Sequence, residues 1–387
     1  MKKQANYNVI TTILFFSGIL VMCSLYTALP LTSVFSKDFE VSKATSALNG
    51  VIFSVMYSVS CLFYGTISEK FGRIKTIIFG LIGLTVICLL IGFVHSFALF
   101  LFLRALQGVF AASFSPVSIT YVTETYTTAK HVTAITFIST SFMLSGIIGQ
   151  NLSEIIVNYF SWHIVYFVLT IFYLVIALII YKYVPESPII DSNIKLLNFF
   201  SNFKSFKSNM PVLLCYAISL TLLIIFICMY DVFSRYITSD AVGASEVTAI
   251  NAKLFGIIGM LLSLVAGRIS GKIGVKNLIL CSLIIVSISL LLMTLTTNIT
   301  ILIILSVVIV GGIAFAIPST ISKVGLVVSS NHSFFLSVNT FILFLGTAIA
   351  PILNLILQKT QNFSIQIILI SIISITSSIF AFLLPKK

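Results

Sequence analysis

Arg104, Glu154, Asp231 and Lys253 are the charged residues that fall inside long apolar stretches of this sequence. A charge in such a setting is costly unless it is paired or faces a polar interior, so each marks a place where a proton, an ion pair or a charged ligand is handled. Burial disfavours the charged form of a carboxyl, which is how an intramembrane Asp or Glu comes to exchange protons near neutral pH. Asp231 and Glu154 are the candidates for that role, although each sits within about a turn of the outer end of its stretch. Arg104 lies deeper, roughly 10 Å in at about 1.5 Å per residue, and Gln107 extends its polar face. Lys253 lies about two turns into its own stretch. Tyr26, Met143, Asn151, Tyr216 and Tyr230 are the side chains expected to line a cavity for a small molecule. Basic groups with no central acid disfavour a permanent cation there and favour neutral or weakly anionic amphiphiles.

The scaffold that must position these residues follows from composition. The chain has 387 residues, 59% hydrophobic and 8% charged, with a mean hydropathy of +1.16. A soluble domain carries roughly a quarter charged residues, so soluble enzymes, nucleic-acid-binding domains and disordered chains are excluded. Apolar runs occupy about 9–31, 46–67, 76–94, 97–119, 132–157, 162–181, 211–232, 247–266, 277–296, 299–321, 333–357 and 363–384. Each is close to the roughly 20 residues a bilayer requires, and lipid forces each to be helical. The expected fold class is an all-α membrane protein with twelve transmembrane helices. The first run is too long for a leader's apolar core and lacks a small-residue cleavage site, so it reads as a span. All six cysteines fall in apolar runs, and the four histidines have no metal-ligand spacing. No phosphate-binding loop is present, so neither an enzyme nor an ATP-driven pump is expected, and no cofactor or metal.

The formal charge of +12 is a topology signal. With the N-terminus inside, Lys2, Lys3, Lys70, Arg73, Lys75, Lys130, Lys182, Lys195, Lys204, Lys207, Arg268, Lys272, Lys276, Lys323, Lys386 and Lys387 fall on the inner side. Only Lys37, Lys43, Arg235 and Lys359 fall outside. That is the positive-inside bias; it places both termini in the cytoplasm of a cell-membrane protein and leaves nucleic acid without a role. The polar stretch 182–210 divides a half at 1–181 from a half at 211–387, and Asn198–Phe206 within it alternates aromatic with polar and basic types, a pattern that suits an interfacial amphipathic segment or an extended linker touching the headgroups. A repeat supports the division. Gly65, Ile67, Ser68, Lys70 and Gly72 recur as Gly267, Ile269, Ser270, Lys272 and Gly274, each 202 residues later. The same offset takes Ala112 and Pro116 to Ala314 and Pro318.

Gly65-x-x-x-Glu69-Lys70-x-Gly72-Arg73-x-Lys75 resembles the signature between spans 2 and 3 of the major facilitator superfamily, with Glu for the usual Asp and Lys for the usual Arg. The glycines let helix ends approach, and the acid suits a neighbouring helix N-terminus. The resemblance implies a conformational latch of Gly65, Glu69, Gly72, Arg73 and Lys75, holding the cytoplasmic side in the outward-facing state, with Glu124 placed to pair with Arg73. Arg104-Ala-Leu-Gln107-Gly108 resembles the second signature of that family. Ser145-Gly146-Ile147-Ile148-Gly149-Gln150-Asn151 is similar to an eroded antiporter signature of drug exporters, with Ile147 in place of proline. Arg104, Gln107, Gln150, Glu154, Asp231 and Lys253 are thereby implied in proton coupling or a buried polar network, with an Arg104–Gln150 contact expected from equal depth. The implied function is proton-coupled export of small amphiphilic compounds by alternating access, the chain acting as a monomer in the bilayer. A specific metabolite permease, a lipid flippase and, in another class, a non-transporting receptor are the alternatives.

Overall fold

The computed structural model describes residues 6–187, 209–328 and 331–385. Lys195, Lys204, Lys207 and the amphipathic stretch Asn198–Phe206 therefore lie outside the described residues, as does most of the 182–210 connection. Among the described residues twelve helices are long and apolar enough to cross a membrane: α1 Tyr7–Tyr26, α2 Lys43–Phe71, α3 Arg73–Ile91, α4 Phe97–Thr125, α5 Val132–Tyr159, α6 Trp162–Tyr183, α7 Met210–Ile237, α8 Asn251–Ile273, α9 Val275–Met293, α10 Ile299–Val327, α11 His332–Gln358 and α12 Phe363–Leu383. No strand occurs among the described residues.

The helix ends follow short polar side chains. Ser42 Oγ accepts from Thr45 N at 3.0 Å to start α2, Asn298 Oδ1 accepts from Thr300 N at 2.9 Å to start α10, and Asn362 Oδ1 accepts from Ile365 N at 3.1 Å to start α12. Such caps satisfy N–H groups that the helix itself leaves open. Capping carries α2 past its apolar run at both ends, to 29 residues or roughly 44 Å. That exceeds a hydrocarbon core of about 30 Å, so the helix is longer than a span requires, and Glu69 and Lys70 lie in its last turn. The first run behaves differently: α1 stops at Tyr26, short of residue 31, and a short helix Thr32–Asp38 follows the turn at Pro30. The α4 helix is interrupted by a turn at residues 112–114, with Pro116 opening its second segment, whereas α10 runs unbroken through Pro318.

The chain divides into two compact units, residues Met1–Lys204 with Asn331–Phe341, and Ser205–Ser330 with Ile342–Lys387. Helix α11 thus contributes its first turns to the first unit and its remainder to the second. In the first unit α1 packs on α5, α2 on α4, and α3 on α6. In the second, α9 packs on α10 and α12, and α7 on α12 and α10. The burial pattern suits lipid. Phe79, Ile171, Leu178 and Phe382 are all exposed, while Ser17, Ser24, Asn49, Ser58, Gln107 and Ser374 are buried. With apolar side chains outside and small polar ones between helices, association rests on close packing and hydrogen bonds.

Candidate functional site

Two wholly buried arginines, Arg73 and Arg104, dominate the first unit. Arg73 opens α3 directly after Gly72, whose φ of 101° lets the chain reverse between α2 and α3, a backbone state open to glycine at little cost. Its guanidinium has five N–H groups, and the structure supplies five acceptors. Nε donates to Glu124 Oε2 at 3.1 Å. Nη2 donates to Glu124 Oε1 at 2.6 Å and to Ser333 Oγ at 2.7 Å. Nη1 donates to Gly65 O at 2.9 Å and to Ser68 Oγ at 2.7 Å. The paired forks are the strong form of carboxylate recognition. Gly65 is shaped by the same cluster, since a Cβ there would lie 2.8 Å from Ser333 O.

Around this pair the chain after α6 folds back. Ser187 Oγ donates to Glu124 Oε2 at 2.9 Å, and Tyr121 Oη donates to Pro185 O at 2.9 Å. Glu186 seats its carboxylate on the N-terminus of α3, accepting from Ile74 N at 2.9 Å and Lys75 N at 3.1 Å. A negative group there satisfies open N–H groups and the helix dipole together. The acid on the α3 N-terminus is therefore Glu186, while Glu69 lies half-buried in the last turn of α2. Lys75 is exposed and joins only through its backbone N–H.

Arg104 is held differently. Nη1 donates to Ser24 O at 2.8 Å and to Gln107 Oε1, and the guanidinium lies 4.5 Å from the centre of the Phe53 ring. Nε and Nη2 have no partner among the described residues. Gln107 Nε2 donates onward to Cys88 Sγ at 3.0 Å. Gly108, one turn on, presses against the same stretch of α2: a Cβ there would lie 2.5 Å from Phe53 O. Beside it, Tyr57 Oη bonds Ser115 Oγ and reaches Met22 Sδ at 3.3 Å. The expected Arg104–Gln150 contact does not form, because Gln150 Nε2 turns back to Gly146 O at 2.6 Å in its own helix.

The remaining candidates are dispersed. Tyr26 and Met143 are buried, with Tyr26 packed on the Gly146–Gly149 face of α5. Asn151 Nδ2 donates to Ile147 O at 2.8 Å, within α5. Tyr216 and Tyr230 are buried in the second unit, where the Tyr230 hydroxyl occupies the space that Gly256 leaves. Glu154 is half-buried one helix turn before the end of α5, and Lys253 is half-buried near the start of α8. Asp231 does not close its helix: α7 runs on to Ile237. Its carboxylate pairs with Arg235 at 2.9 Å, with both side chains 38% exposed. Arg235 Nη2 also reaches Gln366 Oε1 at 3.4 Å.

The sequence profile described as Major Facilitator Superfamily matches residues 14–250 and 234–387. The chain belongs to that superfamily. Relatives include an uncharacterized transporter of Buchnera aphidicola, 28% identical over 60% of this chain and 57% of that protein. The bicyclomycin resistance protein homolog of Haemophilus influenzae is 25% identical over 39% of this chain and 38% of that protein. The chloramphenicol resistance protein CraA of Acinetobacter baumannii is 24% identical over 46% and 44%. The chain thus spans about half the length of the curated relatives it matches. The human organic anion transporter MFSD10 shares the fold, with a TM-score of 0.81 over 98% of this chain and 100% of that one, at 15% identity. Within this superfamily member the residues that sequence reasoning missed are Glu186, Ser187 and Ser333. The run Pro185-Glu186-Ser187-Pro188 was visible as a polar stop after α6, but nothing in its spacing pointed to Arg73.

Proposed function

We propose that this protein is a secondary transporter that exports small amphiphilic compounds by alternating access, coupled to protons entering the cell. Membership of the superfamily supports transport, and the printed names of the bicyclomycin and chloramphenicol resistance relatives support export. The observation that carries the mechanism is the contrast between the two buried arginines. Arg73 is saturated, so its cluster suits a part that is either fully made or fully broken. One of its acceptors is Ser333, on the turns of α11 that precede the passage of that helix into the other unit. Movement of α11 would remove that acceptor and loosen the cluster, as a latch on one of two conformations requires.

Arg104 is the complementary part. A buried cation with open N–H groups is costly, and that cost is relieved by whatever acceptor arrives during the cycle. An anionic or hydrogen-bond-accepting amphiphile supplies one, and so does a carboxyl that has released its proton. Glu154 and Asp231 are the proposed proton carriers. The test is flux in reconstituted vesicles with an imposed pH gradient, screened over a compound panel. Export that collapses with a protonophore supports the reading. Binding without flux would make the chain a receptor instead.

A further inference from the structure

The histidines have no metal-ligand spacing along the chain, yet the fold of the first unit brings two of them together. The turn between α3 and α4 is fastened to the start of α6. A Cβ on Gly92 would stand 2.4 Å from the Phe167 ring, and Phe93 packs edge-on against that same ring with 5.0 Å between centres. Trp162, which opens α6, is fixed from another side. Its Nε1 donates to Asp38 Oδ2 at 2.8 Å, and its ring meets those of Phe35 and Phe100 edge-on at 5.1 and 5.7 Å. Aromatic contacts of this kind are directional as well as apolar, so both sides of the junction are held in place. His95 and His163 are carried on these two segments, with ring centres 5.9 Å apart.

The two edges of the His163 ring meet different groups. Nδ1 lies 2.7 Å from Oγ of Ser161, the N-cap of α6. Nε2 faces Val94 O at 3.3 Å, longer than the usual N–H···O bond of about 2.9–3.0 Å. A proton on Nδ1, donated to Ser161 Oγ, turns the Nε2 lone pair toward Val94 O, so that two acceptors face each other. Two ligand atoms bonded to one metal ion at about 2.1 Å stand about 3.0–3.4 Å apart, and two imidazoles on one such ion have ring centres no more than about 6.4 Å apart. Both spacings at this junction, 3.3 Å and 5.9 Å, fall within those limits.

His95 is exposed and His163 half-buried, so an ion from water reaches both. Carboxylates are scarce in this chain, which has ten Asp and Glu residues and none after Glu246. Among the described residues no third His, Cys, Asp or Glu side chain joins the pair. The protein ligands are then two imidazoles and one carbonyl oxygen, with water completing the set. Imidazole suits zinc, copper and nickel, whereas Mg2+ and Ca2+ take oxygen. A set completed by water is also open, unlike the closed four-ligand sites that hold a fold together.

We propose that His95 and His163, with the carbonyl oxygen of Val94, bind a divalent transition-metal ion, Cu2+ most tightly. Ser161 is the positioning residue, fixing the tautomer and orientation of His163 as the outer partner of a metal-bound histidine does. The ligands all belong to the first unit, and none of them takes part in the Arg73 cluster or holds Arg104. The site therefore stands or falls independently of transport.

Trp162 reports on the ion. It is the one tryptophan of the sequence, and its ring stacks on His163 with centres 3.7 Å apart and planes at 24°. A paramagnetic ion on that imidazole quenches its emission. The test titrates Cu2+ into the untagged full chain in detergent. Quenching of the wild type should saturate at one ion per chain, and excess Mg2+ should not reverse it. His95→Gln, an exposed change that leaves the Trp162 stack in place, should raise the Cu2+ concentration at half-quenching by about tenfold or more. Trp162 emission without metal confirms that the variant is folded. Pulsed electron paramagnetic resonance of the Cu2+-loaded wild type needs no variant and should count two imidazoles on the ion. Quenching that does not saturate would mean an adventitious ion only and would overturn the proposal. An unchanged half-point in His95→Gln, reversal by Mg2+, or fewer than two imidazoles would overturn it as well.

Discussion

The same substitution made at the two buried arginines should have opposite effects on stability. Arg73→Met strands Glu124 and Ser333 without their donor and should cost about 3–5 kcal/mol of the conformation that contains the cluster. Arg104→Met removes a cation whose Nε and Nη2 lack partners among the described residues; relief of that penalty, about 1–3 kcal/mol for an unmade buried hydrogen bond, should outweigh the lost bonds to Ser24 O and Gln107 Oε1 and raise stability. Both variants should lose most transport. Thermal unfolding in detergent beside vesicle flux checks the pair; a destabilised Arg104→Met would mean that its open N–H groups are satisfied in the membrane. Milder variants of the latch, Glu69→Gln and Glu124→Gln, should reduce flux while the protein still inserts. The Arg73–Glu124 pair was readable from sequence because the resemblance to the superfamily's signature implies an acid at the end of α4 that partners the cluster, and Glu124 stands at that place. Glu186 and Ser333 were not, being 113 and 260 residues from Arg73 in a chain whose local pattern fixes only near neighbours.

At the scale of the helix, close approach sets what a glycine can become. Gly108→Ala would press a methyl group onto the backbone oxygen of Phe53 and should destabilise the α2–α4 contact by about 1–3 kcal/mol. Gly325→Ala in α10 meets nothing within 4 Å and should be neutral or stabilising by about 0.5–1 kcal/mol, since it removes a flexible residue from a helix. Unfolding midpoints for the two variants decide the matter. The twelve helices were readable because a 20-residue apolar run admits few other structures in lipid. Their interruptions were less so. Pro116 and Pro318 stand at matching positions, yet α4 turns before its proline while α10 passes through; the ring alone does not dictate a break when the surrounding packing can absorb it. The α8 helix carries a tight turn at Ser263–Val265 that no residue type announces.

For the whole molecule, the distribution of charge bears on what is carried. Asp231 is tied to Arg235 in a half-exposed pair, an arrangement worth little to stability, so Asp231→Asn should leave the fold intact. If substrates are neutral or weakly anionic, ethidium efflux should be slow in the wild type while an uncharged amphiphile is exported. Rapid ethidium efflux that disappears in Asp231→Asn would make that carboxylate a cation site. Depth was the part of this reading that sequence supplied poorly, because the apolar run ends near residue 232 whereas the helix continues to Ile237.

The absence of acids after Glu246 makes a chemical map of the coupling group unusually short. A carbodiimide that inactivates proton-driven flux by modifying an Asp or Glu side chain can do so only at one of ten carboxylates, all in the first 246 residues. Peptide mapping should place any inactivating carboxyl adduct there. A glutamyl endopeptidase, for the same reason, should release everything beyond Glu246 as one uncut fragment.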